Sequence, residues 1–519
     1  MNKFNFYSLL LFLSIGLLSS CTETKKYESL VPVTDNDIIL SVNLEQLLTK
    51  SDIKNQISEE EYKGFLFNII KNSNNQKTAD LVTSIIKDPS NSGIDISKNI
   101  YSLFSINEKT YKDGPEYLKM TFAVKDINKV EKLINSTEAT KLEDIQGFKH
   151  FNNGIIDILL NENICIIFFS DNDKQYLPTL ANPEVTLADT KYFKTFEKKN
   201  DFCLSMNLLM LNEISQSPMN SLFKNFTNSF YKDFEEPVYQ TATINFEKGR
   251  IHINQEIISS NEHDLKIITE NSKIYNKISH SYSHLVDEDP LFFFNMGING
   301  EALYSYINKY FLQETTISNE NKDLLKKAIP SINGDVTAVI SNIDLNLFKM
   351  SAEFSVFVPT NDITIYNDII NDIKDQSTAD YIIEETESYT LFQVSNISFY
   401  LGKASNFLYL TTNEAIAKDP TINITPSIKE SRYYDNSNNS LAYTVFDLQK
   451  LIAMPLIQMG IASSPITQKA PIKNFLENIN YLDAKSSDGL HGEAQLTFKN
   501  KEDNSLKVIT LVLLELSRM

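Results

Sequence analysis

The amino-acid sequence predicts an α+β fold made of two related halves from an internal duplication, with antiparallel sheets and helices packed on one face. Three observations predict it. Short alternating apolar runs are interleaved with amphipathic stretches at helical spacing. Consecutive strand-like runs near 155–169 and 396–411 are joined by short polar turns, as in antiparallel hairpins rather than βαβ units. Finally, the same series of elements occurs twice, at a nearly constant spacing of about 240 residues.

At the N-terminus, Lys3 precedes the apolar run Phe6 to Leu18. At roughly thirteen residues the run is too short for a spanning helix, which takes ~20, and fits the apolar core of a secretory signal. It runs into Leu18-Ser19-Ser20-Cys21, which resembles the lipobox of bacterial lipoproteins. Small residues suit the peptidase beside the cut, and the Cys21 thiol carries the lipid. The expected organisation is a signal peptide over 1–20, a polar tether over 21–36, a first half over 37–275 and a second over 276–519.

Within the first half, Ile38 to Val42 reads as a strand, and Asn43-Leu44 turns it into a helix. Ser51 is read as the N-cap of a helix reaching Asn72, with Ile57, Phe65 and Ile69 as its apolar stripe. Another helix near 78–87 stops at Pro89. Tyr117 to Val124 alternates like a half-buried strand, and Asp126 caps the helix that follows. Asn152-Asn153-Gly154 marks a turn before two strands joined at Asn161-Glu162-Asn163.

The repeat pairs Asn163 to Ile167 with Asn406 to Leu410, Tyr192 with Tyr433, Leu208 with Leu448 and Gly249 with Gly489. Upstream, FAVKDINKVEKLI (122–134) answers SVFVPTNDITIYNDII (355–370), and IILSVNLEQLL answers LFFFNMGINGEALY. Paired positions are expected to take equivalent places. Cys165 should be buried where Leu408 sits, both glycines should occupy turns, and a functional surface should lie between the halves.

Composition narrows function. The apolar fraction of 42% suits a folded chain. The formal charge is −19, and losing Lys3 with the signal leaves 47 basic against 67 acidic residues, or −20. A surface that acidic repels phosphate backbones, so nucleic acid is not an expected partner. Cys165 and Cys203 lie in apolar runs and read as small buried hydrophobes. Tryptophan is absent, which weighs against a glycan platform.

Several motifs resemble those of the uncharacterised Bacteroidota lipoproteins classed as domain of unknown function 4836. They are GIDISKNIYSLF (93–104) after Asp88-Pro89, VPVTDNDIILSVNLEQLLTKS (31–51), MGINGEAL (296–303), INGDVTAVIS (332–341) and DNSLKVI (503–509). The resemblance spans essentially the whole chain. It implies an exported lipoprotein and carries no catalytic residues or cofactor. Surface-exported relatives often have an acidic cluster after the cysteine. Here acids alternate with lysines over 22–28, which favours the periplasmic face of the outer membrane over the cell surface.

Catalytic signals are sparse. His280 and His284 are spaced to share a helix face and bind zinc, but Ser281 stands where a zincin has Glu, so a polar helix end is the expected reading. Asp435 to Asn439 spaces oxygens like a calcium loop but lacks its glycine and closing glutamate. No nucleophile elbow or phosphate-binding glycine loop appears, and glycines number only 14. The expected function is a non-enzymatic binding or assembly protein of the cell envelope. It is held to the membrane by its lipid, with an unknown envelope protein or ligand as partner and no cofactor. The alternative is an envelope hydrolase whose carboxylate pair assembles only in the fold.

Overall fold

The structure is a computed structural model. It describes residues 26–35, 37–56, 89–105, 117–137, 139–154, 156–170, 176–209, 233–312, 319–346, 349–375, 382–394, 397–465 and 470–517. Cys21, the signal region and the proposed helical stripe Ile57, Phe65 and Ile69 lie outside the described residues.

The strands of the first half are β1 (Asp37–Val42), β2 (Ile100–Ser105), β3 (Tyr117–Ala123), β4 (Thr140–Lys141), β5 (Lys149–Asn152), β6 (Ile156–Leu160), β7 (Ile164–Ser170), β8 (Phe202–Asn207), β9 (Val238–Glu247) and β10 (Arg250–Ser259). Those of the second are β11 (Phe292–Asn299), β12 (Asn333–Asn346), β13 (Lys349–Pro359), β14 (Ile382–Glu385), β15 (Tyr389–Val394), β16 (Ile397–Lys403), β17 (Phe407–Thr411), β18 (Ala442–Asp447), β19 (Ile479–Ser486) and β20 (His491–Phe498). A two-residue strand, Tyr275–Asn276, pairs with Gly297 and Ile298 at the end of β11, beyond its pairing with β18.

All these pairings are antiparallel, as the hairpin spacing predicts. The hydrogen-bonded order in the first half is β4-β5-β6-β7-β3-β2-β1-β8-β9-β10. In the second half it is β14-β15-β16-β17-β13-β12-β11-β18-β19-β20. Each strand of the second series stands where its counterpart stands in the first. The two series meet at β10 and β20, where Ile253 faces Ala494 and Asn254 faces Glu493. The sheet therefore runs unbroken across the chain and reads the same inward from either end.

Register follows the sequence repeat at several points. Val124 N–H donates to Asn163 O and Thr360 N–H to Asn406 O, each at 3.0 Å. Leu187 N–H donates to Val31 O and Ile428 N–H to Val286 O, each at 2.9 Å. Two short capping boxes recur. The Asp189 carboxylate accepts the Thr186 amide at 2.9 Å, and the Glu430 carboxylate accepts the Ser427 amide at 3.1 Å. Cys165 and Leu408 are both buried, the first against the helix Ile127–Asn135 and the second against Ile365–Asp375.

Helices do not keep to one face. Alternation along β7 sends Ile164, Ile166 and Phe168 into a core closed by the helices Leu177–Ala181 and Phe193–Glu197. Cys165, between them, packs on the opposite face with Val130 and Ile134. In β17, Phe407 and Tyr409 point one way and Leu408 the other. Both faces of these strands are apolar, so both need cover.

Local chemistry accounts for most element ends. Asp126 caps its helix by accepting from Asn128 and Lys129 N–H. Asn43 and Asn299 cap the helices that follow β1 and β11. Ser51 ends the helix Leu44–Ser51 and donates its hydroxyl to Leu48 O, and a second helix opens at Ile53–Gln56, its expected course to Asn72 lying outside the described residues. Gly249 takes φ 69° in the β9–β10 turn, whereas Gly489 does not need positive φ. A side chain at Gly489 would instead collide with Ser272, 2.4 Å from an added Cβ. Close approach, and not backbone handedness, selects that glycine.

Candidate functional site

The strands β9, β10, β20 and β19 form the seam. Period-two alternation separates their side chains into a polar and an apolar surface. On the polar side the Arg250 guanidinium donates from Nε to Glu247 Oε2 at 2.7 Å and from Nη1 to Gln495 Oε1 at 3.2 Å. His252 Nε2 lies 3.4 Å from Glu493 Oε2, and Lys485 pairs with the same carboxylate. Together with Asn436 and Asp483 these side chains line a cavity of about 300 Å³, bounded by β10 from one half and β19 and β20 from the other.

Asp483 is the unusual member. It is 4% exposed. Its Oδ2 accepts from Tyr443 OH at 3.1 Å, Gln495 Nε2 at 3.3 Å and Asn436 Nδ2 at 3.4 Å. Its Oδ1 is buried with no hydrogen-bond partner among the described residues. Burial raises the Asp483 carboxyl above its ordinary value of 3.8, although its hydrogen-bond donors and Lys485 oppose the shift. Burial, with Asp483 alongside, likewise raises the Tyr443 phenol.

Asp483→Asn is expected to stabilise the ligand-free protein at neutral pH, since it removes the charge that burial disfavours and keeps an oxygen for Tyr443, Gln495 and Asn436. The sign follows from linkage. A carboxyl raised in the folded state favours folding below 3.8 and loses that contribution as pH rises through its folded value. Urea unfolding should therefore show a larger gain for the variant at pH 7 than at pH 4. An equal gain at both would exclude ionisation as the cause.

The other surface of the seam is mostly apolar, with Gln255, Asp488 and His491 among its lining. Ile253, Ile257, Phe294, Ala442, Ala484 and Leu490 line a trough of about 370 Å³.

The residues singled out by sequence fare differently. His280 and His284 do not share a helix: they sit at a turn and in the short 3-10 segment Ser283–Leu285. His280 Nε2 meets Asn438 Oδ1 at 3.0 Å, and its ring lies 4.2 Å from that of Tyr434. His284 is lowered from its usual value by burial and by the nearby Lys429. Among the described residues no group of three or more metal-ligating side chains converges, at these histidines or elsewhere. Asp435 lies in the helix Arg432–Ser437 and not in a calcium-type loop. Cys165 and Cys203 are free, lie in cores on opposite faces of the sheet, and have thiols pushed up by burial to about 12.

A second polar cluster escaped the sequence reading. Asp37 and Lys119 form an ion pair at 2.8 Å with side chains 0% and 2% exposed. Tyr117 OH donates to Asp37 Oδ1 at 2.7 Å, and Thr34 N–H donates to Oδ2 at 2.7 Å. The signal was present: Lys119 occupies an inward position in the alternating strand Tyr117–Ala123. The pair is enclosed by apolar core and fronts none of the cavities described above, so it acts within the fold.

The family model for a domain of unknown function, DUF4836, matches residues 27–506. The chain belongs to the DUF4836 family. No curated protein sequence matches it. Among solved structures, crystal form I of TP0453 is similar at 8% identity, covering 46% of this chain and 81% of that one, with a TM-score of 0.25. Form IV of TP0453 is similar at 12% identity over 44% and 79%, again at 0.25. The DNA polymerase III beta subunit of Thermotoga maritima aligns over 72% and 98% at 10% identity and a TM-score of 0.08. Likenesses this low carry no argument about this DUF4836 chain.

Proposed function

We propose that this DUF4836 protein is a non-enzymatic lipoprotein of the cell envelope that binds a small polar ligand, or the polar end of a larger partner, in the seam cavity. It is anchored through Cys21, at the outer membrane with the periplasmic face favoured. The two halves are read as copies of one unit, a reading supported by their shared strand order and register.

The observation that carries the binding site is the convergence of Arg250, His252, Asp483, Lys485 and Glu493, drawn from both halves, on one cavity. Arg250 and Lys485, on the cavity wall, suit an acceptor on the ligand that shares them with Glu247 and Glu493. Catalysis is less well supported because Arg250, His252, Lys485 and Glu493 already meet opposite charges. The hydrolase alternative keeps one argument, the raised Asp483 carboxyl, which suits a general acid.

The test has two arms. Amino acids, short peptides and sugars are screened for stabilisation of the purified protein, and a photocrosslinker at His252 is activated in native membranes. A true ligand present at a hundred times its Kd adds about 2.7 kcal/mol, and Asp483→Asn should abolish that gain. If no compound stabilises the protein and the crosslinker captures nothing, the seam is not the binding site. Turnover of a screened compound, lost in Asp483→Asn, would establish the hydrolase instead.

A further inference from the structure

A second cavity lies away from the seam, between the sheet and two helices of the second half. Its walls are Ala328 from the helix Asn319–Ser331, Ile365 and Ile369 from Ile365–Asp375, Val356 and Val358 from β13, and Leu401 from β16. Its volume is about 210 Å³.

The polar groups at its edge are already satisfied. Ser331 Oγ and Thr360 Oγ1 lie 2.9 Å apart and are buried. The Ser331 hydroxyl also reaches Ala328 O at 2.7 Å, and Thr360 Oγ1 reaches Asp362 O at 3.2 Å. A water molecule needs two to four polar partners, and this lining supplies none that are unengaged. Water therefore gains little there. An enclosed apolar cavity of about 150 Å³ is known to take benzene, and the space here, larger and open at one side, has room for a guest of that class. Val356, Val358 and Leu401 are only half-buried, which gives the cavity a mouth to solvent.

We infer that this cavity is a binding site for a small apolar molecule, a single aromatic ring or a short alkyl chain. The site is independent of the seam and of any reading of Asp483. Its occupant is too small to be a whole lipid and carries no charge, because the walls offer nothing to pair with one.

Toluene is the probe, added to the purified full chain. The expected result is saturable shifts in the methyl resonances of Ile365, Ile369 and Leu401, together with a higher melting temperature. Val358→Phe and Ile369→Phe each fill the space, so both should melt at or above the parent temperature and lose the response to toluene. Methyl shifts confined to other residues, or no saturable shift in the parent protein, overturn the inference whether or not either variant folds. A toluene response unchanged in a folded variant overturns it too, since the guest would then be elsewhere, for example in the apolar trough of the seam.

Discussion

Lys119→Ala is expected to lower the free energy of unfolding by about 3–5 kcal/mol, the usual cost of removing one partner of a buried ion pair. The reason is the charge left behind. With the ammonium gone, the Asp37 carboxylate keeps only Tyr117 OH and Thr34 N–H while sealed from water. Burial already draws the Lys119 ammonium below its ordinary value, and only Asp37 holds it up. The control is the double variant Asp37→Leu with Lys119→Met, which removes both charges and roughly keeps the volume. It should recover most of the loss, because well-packed apolar replacements of a buried pair are commonly neutral or stabilising. Urea unfolding of the three proteins decides the matter. A loss below about 1 kcal/mol for Lys119→Ala would place the pair with exposed ones, which contribute that little.

Cys21→Ala should move the protein from the membrane fraction to the soluble fraction and eliminate fatty-acid labelling. Lipid chains anchor by burying methylenes, each worth ~0.8 kcal/mol, and two or more chains hold stably where one does not. Among the described residues no helix is long and apolar enough to cross a membrane. The terminal helix Ser505–Ser517 leaves Leu513 and Leu516 exposed, yet Lys507 ties its first turn to Asp52 at 3.4 Å. That helix packs on the fold. Membrane association that survives the substitution, with labelling unchanged, would end the lipoprotein reading.

Much of the local structure was legible. The Asp126 cap, the turn at Asn152-Asn153-Gly154 and the β6–β7 pair each depend on residues within a few positions of one another. Errors arose where a local cue had two readings. The Asp435–Asn439 run suits a loop, yet most of it completes a helix beside Tyr443 and Asp483. A glycine read for its backbone freedom, Gly489, was selected by the nearness of Ser272.

By itself the sequence determined the fold class, the antiparallel hairpins and the family, because periodicity, caps and ordered motifs are properties of neighbouring residues. It also showed the spacing that later proved to match strand order. Only the tertiary structure decided where the chemistry lies. Arg250 meets Gln495, and His252 meets Glu493, because β10 hydrogen-bonds to β20, a contact between strands at the ends of the two halves. Backbone pairing of that range leaves no local pattern to read. The same holds for Asp483: an aspartate in a strand is unremarkable until the surrounding side chains engage one carboxylate oxygen and leave the other, in the dark of the seam, without a partner.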